Sequence, residues 1–244
     1  MQGDSLEEMN WFLETLESSQ REIQEQLELI LKYFSQPVKL AISTEQASGY
    51  LAITNNLVVS GEMVLKKGKS RISVNKECPY SILQIENIIK YIIMASESVD
   101  STHFVTALEQ IDKMSRMIRR TRQQLYSRDP SMSFGSSFIR QGSFIEKEHL
   151  VDINLNENRL LINIYHFKKS SSDPLTALGE EQYQDIYKLF KKAIPHSTHR
   201  GLPEIDECIE LEIDHPPMKQ ILERILVVEQ LIRECIYNLQ CFKK

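Results

Sequence analysis

SLEEMNWFLETLESSQREIQEQLELILKYF, residues 5–34, is the stretch on which the fold turns. Positions Met9, Leu13, Leu16, Gln20, Ile23, Leu27, Ile30 and Phe34 are spaced 4, 3, 4, 3, 4, 3, 4. That spacing is an a/d seam sustained for nearly four heptads. Ser5 followed by Glu8 has the form of a capping box, and Pro37 stops the helix. At about 1.5 Å per residue the helix is roughly 45 Å long. A rod of that length with one narrow apolar stripe needs partners of similar length. The far end of the chain supplies one, PMKQILERILVVEQLIRECIYNLQCF at 217–242, opened by Pro216-Pro217. Its seam of Ile221, Ile225, Val228, Ile232, Cys235, Leu239 and Phe242 repeats the spacing 4, 3, 4, 3, 4, 3.

Between these rods the period changes. Over 38–77, alternation at Leu40 and Ile42, Leu51 and Ile53, and Ile72 and Val74 predicts three or four short strands. Gly49, Asn55-Asn56, Gly61 and Gly68 punctuate them. Residues 79–97 return to a helical pattern (Ile82, Ile85, Ile89, Ile92), with Pro79 suited to a first turn. A third helix is expected over 101–126 from Phe104, Leu108, Ile111 and Ile118, with Ser101 or Thr102 at its cap. The Ser- and Gly-rich stretch 129–148 reads as a linker. Val151, Ile153 and Leu155, then Leu160, Ile162 and Ile164, alternate on either side of Asn156-Glu157-Asn158, which has hairpin chemistry. A short amphipathic helix over 180–194 and a last strand around Cys208, Ile209, Leu211 and Ile213 complete the map.

The expected class is therefore α+β. An antiparallel four-helix, coiled-coil-like bundle is assigned to 1–35, 79–128 and 215–244. A small β-rich subdomain with a short helix is assigned to 36–78 and 129–214. Charge agrees with helix pairing. The first helix carries Glu7, Glu8, Glu14, Glu17, Glu22, Glu25 and Glu28, and the third carries Lys113, Arg116, Arg119, Arg120 and Arg122.

Composition narrows the function. Hydrophobic residues at 41% and charged residues at 26% belong to a folded chain rather than a disordered one. A net charge of −5 argues against nucleic acid as a partner. With only 8 glycines and no G-x-x-x-x-G-K-[ST], G-x-G-x-x-G or G-x-S-x-G run, phosphate-cradling loops and nucleophile elbows are not expected. His196 and His199 form a lone HxxH without a Cys or acidic pair at metal-ligand spacing, so no metal or cofactor is expected. Cys78 and Cys208 show no disulfide-scaffold density, and Cys235 and Cys241 read as core thiols. The acidic, polar start MQGDSLEEMN lacks presequence character, and no apolar run reaches the ~20 residues of a spanning helix. The expected compartment is the reducing cytosol. Two features remain as candidate interaction or regulatory surface. Arg116, Arg119, Arg120 and Arg122 form a basic ridge, and Arg140-Gln141-Gly142-Ser143 fits a basophilic kinase site at Ser143.

The hairpin LVDINLNENRLLINIYHF (150–167) resembles the Rogdi family of leucine-zipper-like proteins. So do LVVSGEMVLKKG (57–68), KSRISVNKE (69–77), SILQIENIIKYIIMA (81–95), ALEQIDKMSRMIRRTRQQL (107–125) and MKQILERILVVEQLIRECI (218–236). The likeness covers most of the chain, and the hairpin is its most specific part. Rogdi proteins are similar to the smaller subunit of the RAVE complex, the regulator of vacuolar and endosomal proton-pump assembly. The resemblance implies a helical bundle with a β subdomain and no catalysis. It implies binding to a large β-propeller scaffold of the rabconnectin type and to peripheral-sector subunits of the V-type ATPase. It also implies a monomeric, cytoplasmic protein recruited only indirectly to vacuolar or endosomal membranes, with room for a nuclear pool. The alternative expectation is a coiled-coil adaptor or tether in vesicle trafficking, motivated by the length of the first helix. A small enzyme on a bundle scaffold is the third, and it predicts a polar pocket with perturbed ionisable groups.

Overall fold

The computed structural model describes residues 2–67, 69–74, 79–98, 104–126, 145–146, 149–167 and 205–242. The elements in chain order are α1 (Gln2–Ser35), β1 (Val38–Ser43), β2 (Ala47–Thr54), β3 (Leu57–Leu65), β4 (Arg71–Val74) and β5 (Tyr80–Ser81). Then come α2 (Leu83–Ser96), α3 (Phe104–Tyr126), β6 (Ile145–Glu146), β7 (His149–Asn156), β8 (Arg159–Phe167), β9 (Ile205–Asp214) and α4 (Pro216–Phe242). They group into two compact units. One holds Met1–Gln36, Glu86–Tyr126 and Pro216–Lys244, and the other Pro37–Ile85 and Ser127–His215.

In the helical unit α4 is the common partner, packing against both α1 and α3. Leu16, Ile23, Leu27, Ile30 and Phe34 of α1 are buried, as are Ile221, Ile225, Val228, Ile232, Cys235 and Leu239 of α4. Burying each such aliphatic side chain contributes about 1.5–3 kcal/mol. The two helices run antiparallel. Arg224 of α4 donates to Gln26 Oε1 at 2.7 Å and stacks over the Tyr33 ring at 5.4 Å, whereas Cys235 meets the Ser19 hydroxyl. From α3, Ile111, Met114, Ile118 and Leu125 are buried, and Arg122 pairs with Glu229 of α4 at 3.0 Å.

This arrangement is not the antiparallel four-helix bundle expected from the seams. Strands stand between α1 and α2 and between α3 and α4 along the chain, and the close helix pairs are α1–α4 and α3–α4. With 14 residues, α2 is the shortest of the described helices. It touches α3 near its start (Asn87 Nδ2 to Gln124 Oε1, 3.2 Å) and α1 at its end (Ser96 Oγ to Gln24 Oε1, 3.1 Å). It thus bridges two helices instead of lying alongside a third. A heptad seam shows that a helix has one apolar stripe; it does not count the helices that share the stripe. Nor is the β portion small, since nine strands among the described residues form two antiparallel sheets in the second unit.

Two boundaries also move. Ser5 lies inside α1 instead of capping it. A capping signature marks where a helix can begin, not where it must. Pro79 precedes strand β5 rather than opening a helix, because Tyr80 and Ser81 pair with Val58 and Leu57 of β3. The Ile82 N–H donates to Asn56 O at 2.7 Å, so the helix starts only at Leu83. The predicted short helix 180–194 lies outside the described residues, as does the predicted linker 129–148 apart from Ile145–Glu146.

In the strand unit, the first sheet has the order β1-β2-β3-β4, with β5 added to β3. Gly49 has φ +149°, and a Cβ there would lie 1.9 Å from Glu62 O across the β2–β3 pair, so no other residue fits without shifting the sheet. The second sheet has the order β6-β7-β8-β9. Its β7–β8 register pairs Asn156 with Arg159 and Ile153 with Ile162. Side chains alternate across a strand. One face therefore gathers Val151, Ile153 and Leu155 with Ile164, Ile162 and Leu160 and with Ile209, Leu211 and Ile213, all buried. The opposite face carries Asp152, Asn154, Asn163, Glu210, Glu212 and Asp214.

Candidate functional site

The arginine ridge of α3 is exposed along its length. Arg119 and Arg120 stand three and four positions after Arg116, the spacing that shares one helix face. Arg116 pairs with Asp112 one turn back. Arg120 lies over the Tyr91 ring at 6.0 Å. Arg122 engages Glu229 of α4. Arg119 is exposed. Ser143 lies outside the described residues, as do Cys78, His196 and His199.

The polar groups most tightly held belong to the strand unit and come from β5, the start of α2 and β7. The outer edge of β7 at Ile153 and Leu155 is met by side chains. Gln84, 2% exposed, donates Nε2–H to Leu155 O at 3.0 Å and accepts the Leu155 N–H at Oε1 at 2.6 Å. One amide side chain thereby takes the place of a neighbouring strand. The Ile153 N–H points to Tyr80 Oη at 3.5 Å. Beside it Asp152 is 1% exposed. Asn154 Nδ2 donates to its Oδ2 at 2.6 Å, while Oδ1 has no hydrogen-bond partner among the described residues. Burial pushes the Asp152 carboxyl up from 3.8 to about 7, against the opposing pull of hydrogen bonds from Asn154, Asn163, Tyr80 and the Ile153 N–H. Burial, then the neighbouring Asp152 charge, also holds the Tyr80 hydroxyl well above the usual phenol range. At the β9–α4 junction His215 is buried, with Nδ1 unpartnered among the described residues, and burial lowers it from 6.5 to about 4. Its backbone N–H donates to Asn158 O at 2.8 Å.

Sequence reasoning missed a second pair. His149 and His166 face each other across β7 and β8 with ring centroids 5.0 Å apart, in the row that continues to Glu207, which pairs with Lys67 at 2.8 Å. The hairpin itself held the signal, since a turn placing Asn156 opposite Arg159 places His149 opposite His166. Among the described residues no group of three or more His, Cys, Asp or Glu is placed to hold a metal ion. Cys235 is buried, but Cys241 is exposed, contrary to its reading as a core thiol. Among the described residues no helix is long and apolar enough to cross a membrane.

The helical unit exposes large side chains. Trp11 is 65% and Tyr237 67% exposed, and Leu13, Leu226 and Val227 are also exposed. An open groove of about 460 Å³ on α4 is lined by Gln230, Arg233, Glu234, Tyr237 and Asn238. Because Ser19 meets Cys235 in an antiparallel pair, Trp11 lies toward the end of the unit where α4 finishes, the end nearest Tyr237. Leu13 was expected in the seam and is instead uncovered. No protein-family model matches the chain, and no curated protein matches it.

Proposed function

We propose that this chain is a non-catalytic subunit of a RAVE/rabconnectin-like complex that promotes assembly of the V-type proton ATPase. It binds a large β-propeller scaffold and the peripheral catalytic sector, as a cytoplasmic monomer brought to vacuolar or endosomal membranes through those partners. The resemblance of the 150–167 hairpin and its flanking helices to the Rogdi family motivates the reading. The observation that carries it is the exposure of Trp11 and Tyr237 on the helical unit. Large aromatic side chains left in water at the ends of paired helices are the anchors that protein interfaces favour.

Affinity purification with mass spectrometry tests this, using the full chain and a Trp11→Ala/Tyr237→Ala variant. The full chain is expected to retain a propeller-type scaffold and V-type ATPase peripheral subunits. The variant is expected to lose them while keeping its circular dichroism. Recovery of neither partner by the full chain overturns the reading. Light scattering separates the tether alternative, which requires a stable dimer through residues 5–34.

A further inference from the structure

We propose that Tyr80, Gln84 and Asp152 form a proton-operated latch on the outer edge of β7. The edge needs closing, because the N–H groups of Ile153 and Leu155 and the C=O of Leu155 are what an added strand would pair with. Here they are held by the Tyr80 hydroxyl and the Gln84 amide, both from a short segment at 80–84. Asp152 sits next to this contact, almost fully buried, with Oδ1 unpartnered among the described residues. A neutral carboxyl is tolerated there. A carboxylate is disfavoured: hydrogen bonds from Asn154, Asn163, Tyr80 and the Ile153 N–H support it, but the loss of water on burial outweighs them.

Among the described residues, the titratable or charged groups facing Asp152 are few. Tyr80 comes from β5, and Glu210 of β9 stands one strand beyond Asn163 on the same face. The segment leading into α2 contributes the neutral Gln84, β7 itself the neutral Asn154, and β8 the neutral Asn163. None of these is a cation that would hold the carboxylate in place. On ionisation the relief available is to admit water by parting 80–84 from β7, which frees the edge. With the carboxyl held at about 7, the change falls in the neutral range.

Amide hydrogen exchange by NMR on the full chain reads the latch directly. After division by intrinsic exchange, protection at Ile153 and Leu155 is expected to fall about tenfold from pH 6 to pH 8, the ratio set by a carboxyl that regains its ordinary acidity on opening. Amides of β2 and β3 are expected to hold steady, and Asp152→Asn is expected to abolish the step. Absence of the step in the unsubstituted chain overturns the proposal. So does an equal step in β2 and β3, which would mean that the whole unit loosens, and so does a step that survives in Asp152→Asn.

Discussion

Asp152 and His215 pull the pH dependence of stability in opposite directions, and removing either exposes the other. Asp152 keeps its proton to about pH 7 in the folded chain but releases it near 3.8 when unfolded. Between those values the folded state binds the extra proton, so stability falls as pH rises. The slope is about 1.4 kcal/mol per pH unit, and the whole window is worth about 4 kcal/mol. His215 is the mirror case. Its folded value of about 4 lies below the unfolded 6.5, so the unfolded chain binds the extra proton, and stability rises with pH across that interval by about 3 kcal/mol in all. Where the windows overlap, from about 4 to 6.5, the two contributions cancel. Asp152→Asn removes the falling limb. Urea unfolding of this variant from pH 4 to pH 8 should show stability climbing by ~1.4 kcal/mol per unit up to about pH 6.5 and then levelling. The unsubstituted chain should be nearly flat from pH 4 to 6.5, apart from background shared by both. His215→Gln should tilt the other way. A variant curve that merely runs parallel to the parent across pH 4–6.5 would refute the assignment of these groups.

Gln84→Ala leaves the Leu155 N–H and C=O without their partner, so equilibrium unfolding in urea should show a loss of about 2–6 kcal/mol, from about 1–3 for each orphaned group. A loss below ~1 kcal/mol would mean that water reaches that edge freely. Gly49→Ala drives a Cβ into the Glu62 carbonyl at a backbone angle that disfavours side chains, and thermal melts should show destabilisation well beyond the ~1 kcal/mol typical of a point substitution.

The local elements were legible wherever their period was clean. The seams ending at Phe34 and beginning at Ile221 mark α1 and α4, and the alternation through Val151, Ile153 and Leu155 marks β7. The class, α+β, was legible for the same reason. The number of helices sharing one core was not, because periodicity records a stripe and says nothing of its neighbours. The helix start at Leu83 was misplaced because Pro79 suits a first turn locally, while the pairing of Tyr80 with Val58 is decided over more than twenty residues of chain. The buried cluster escaped for a stronger version of that reason. Gln84 and Leu155 are 71 positions apart, and neither Gln, Tyr nor Asp is unusual where it stands.

The antiparallel match of α1 with α4 fixes an order of events during synthesis. About 180 residues separate Ser35 from Pro216, and at ~5–20 residues per second a ribosome takes roughly 10–40 s to make them. For that interval α1 stands beside the growing chain with Ile23, Leu27 and Ile30 lacking their final cover. α1 is thus completed only once α4 has been made, and holdase chaperones that recognise amphipathic segments have a long opportunity there. Circular permutation that joins the ends of α1 and α4 would turn this most distant contact into a local one and should speed folding.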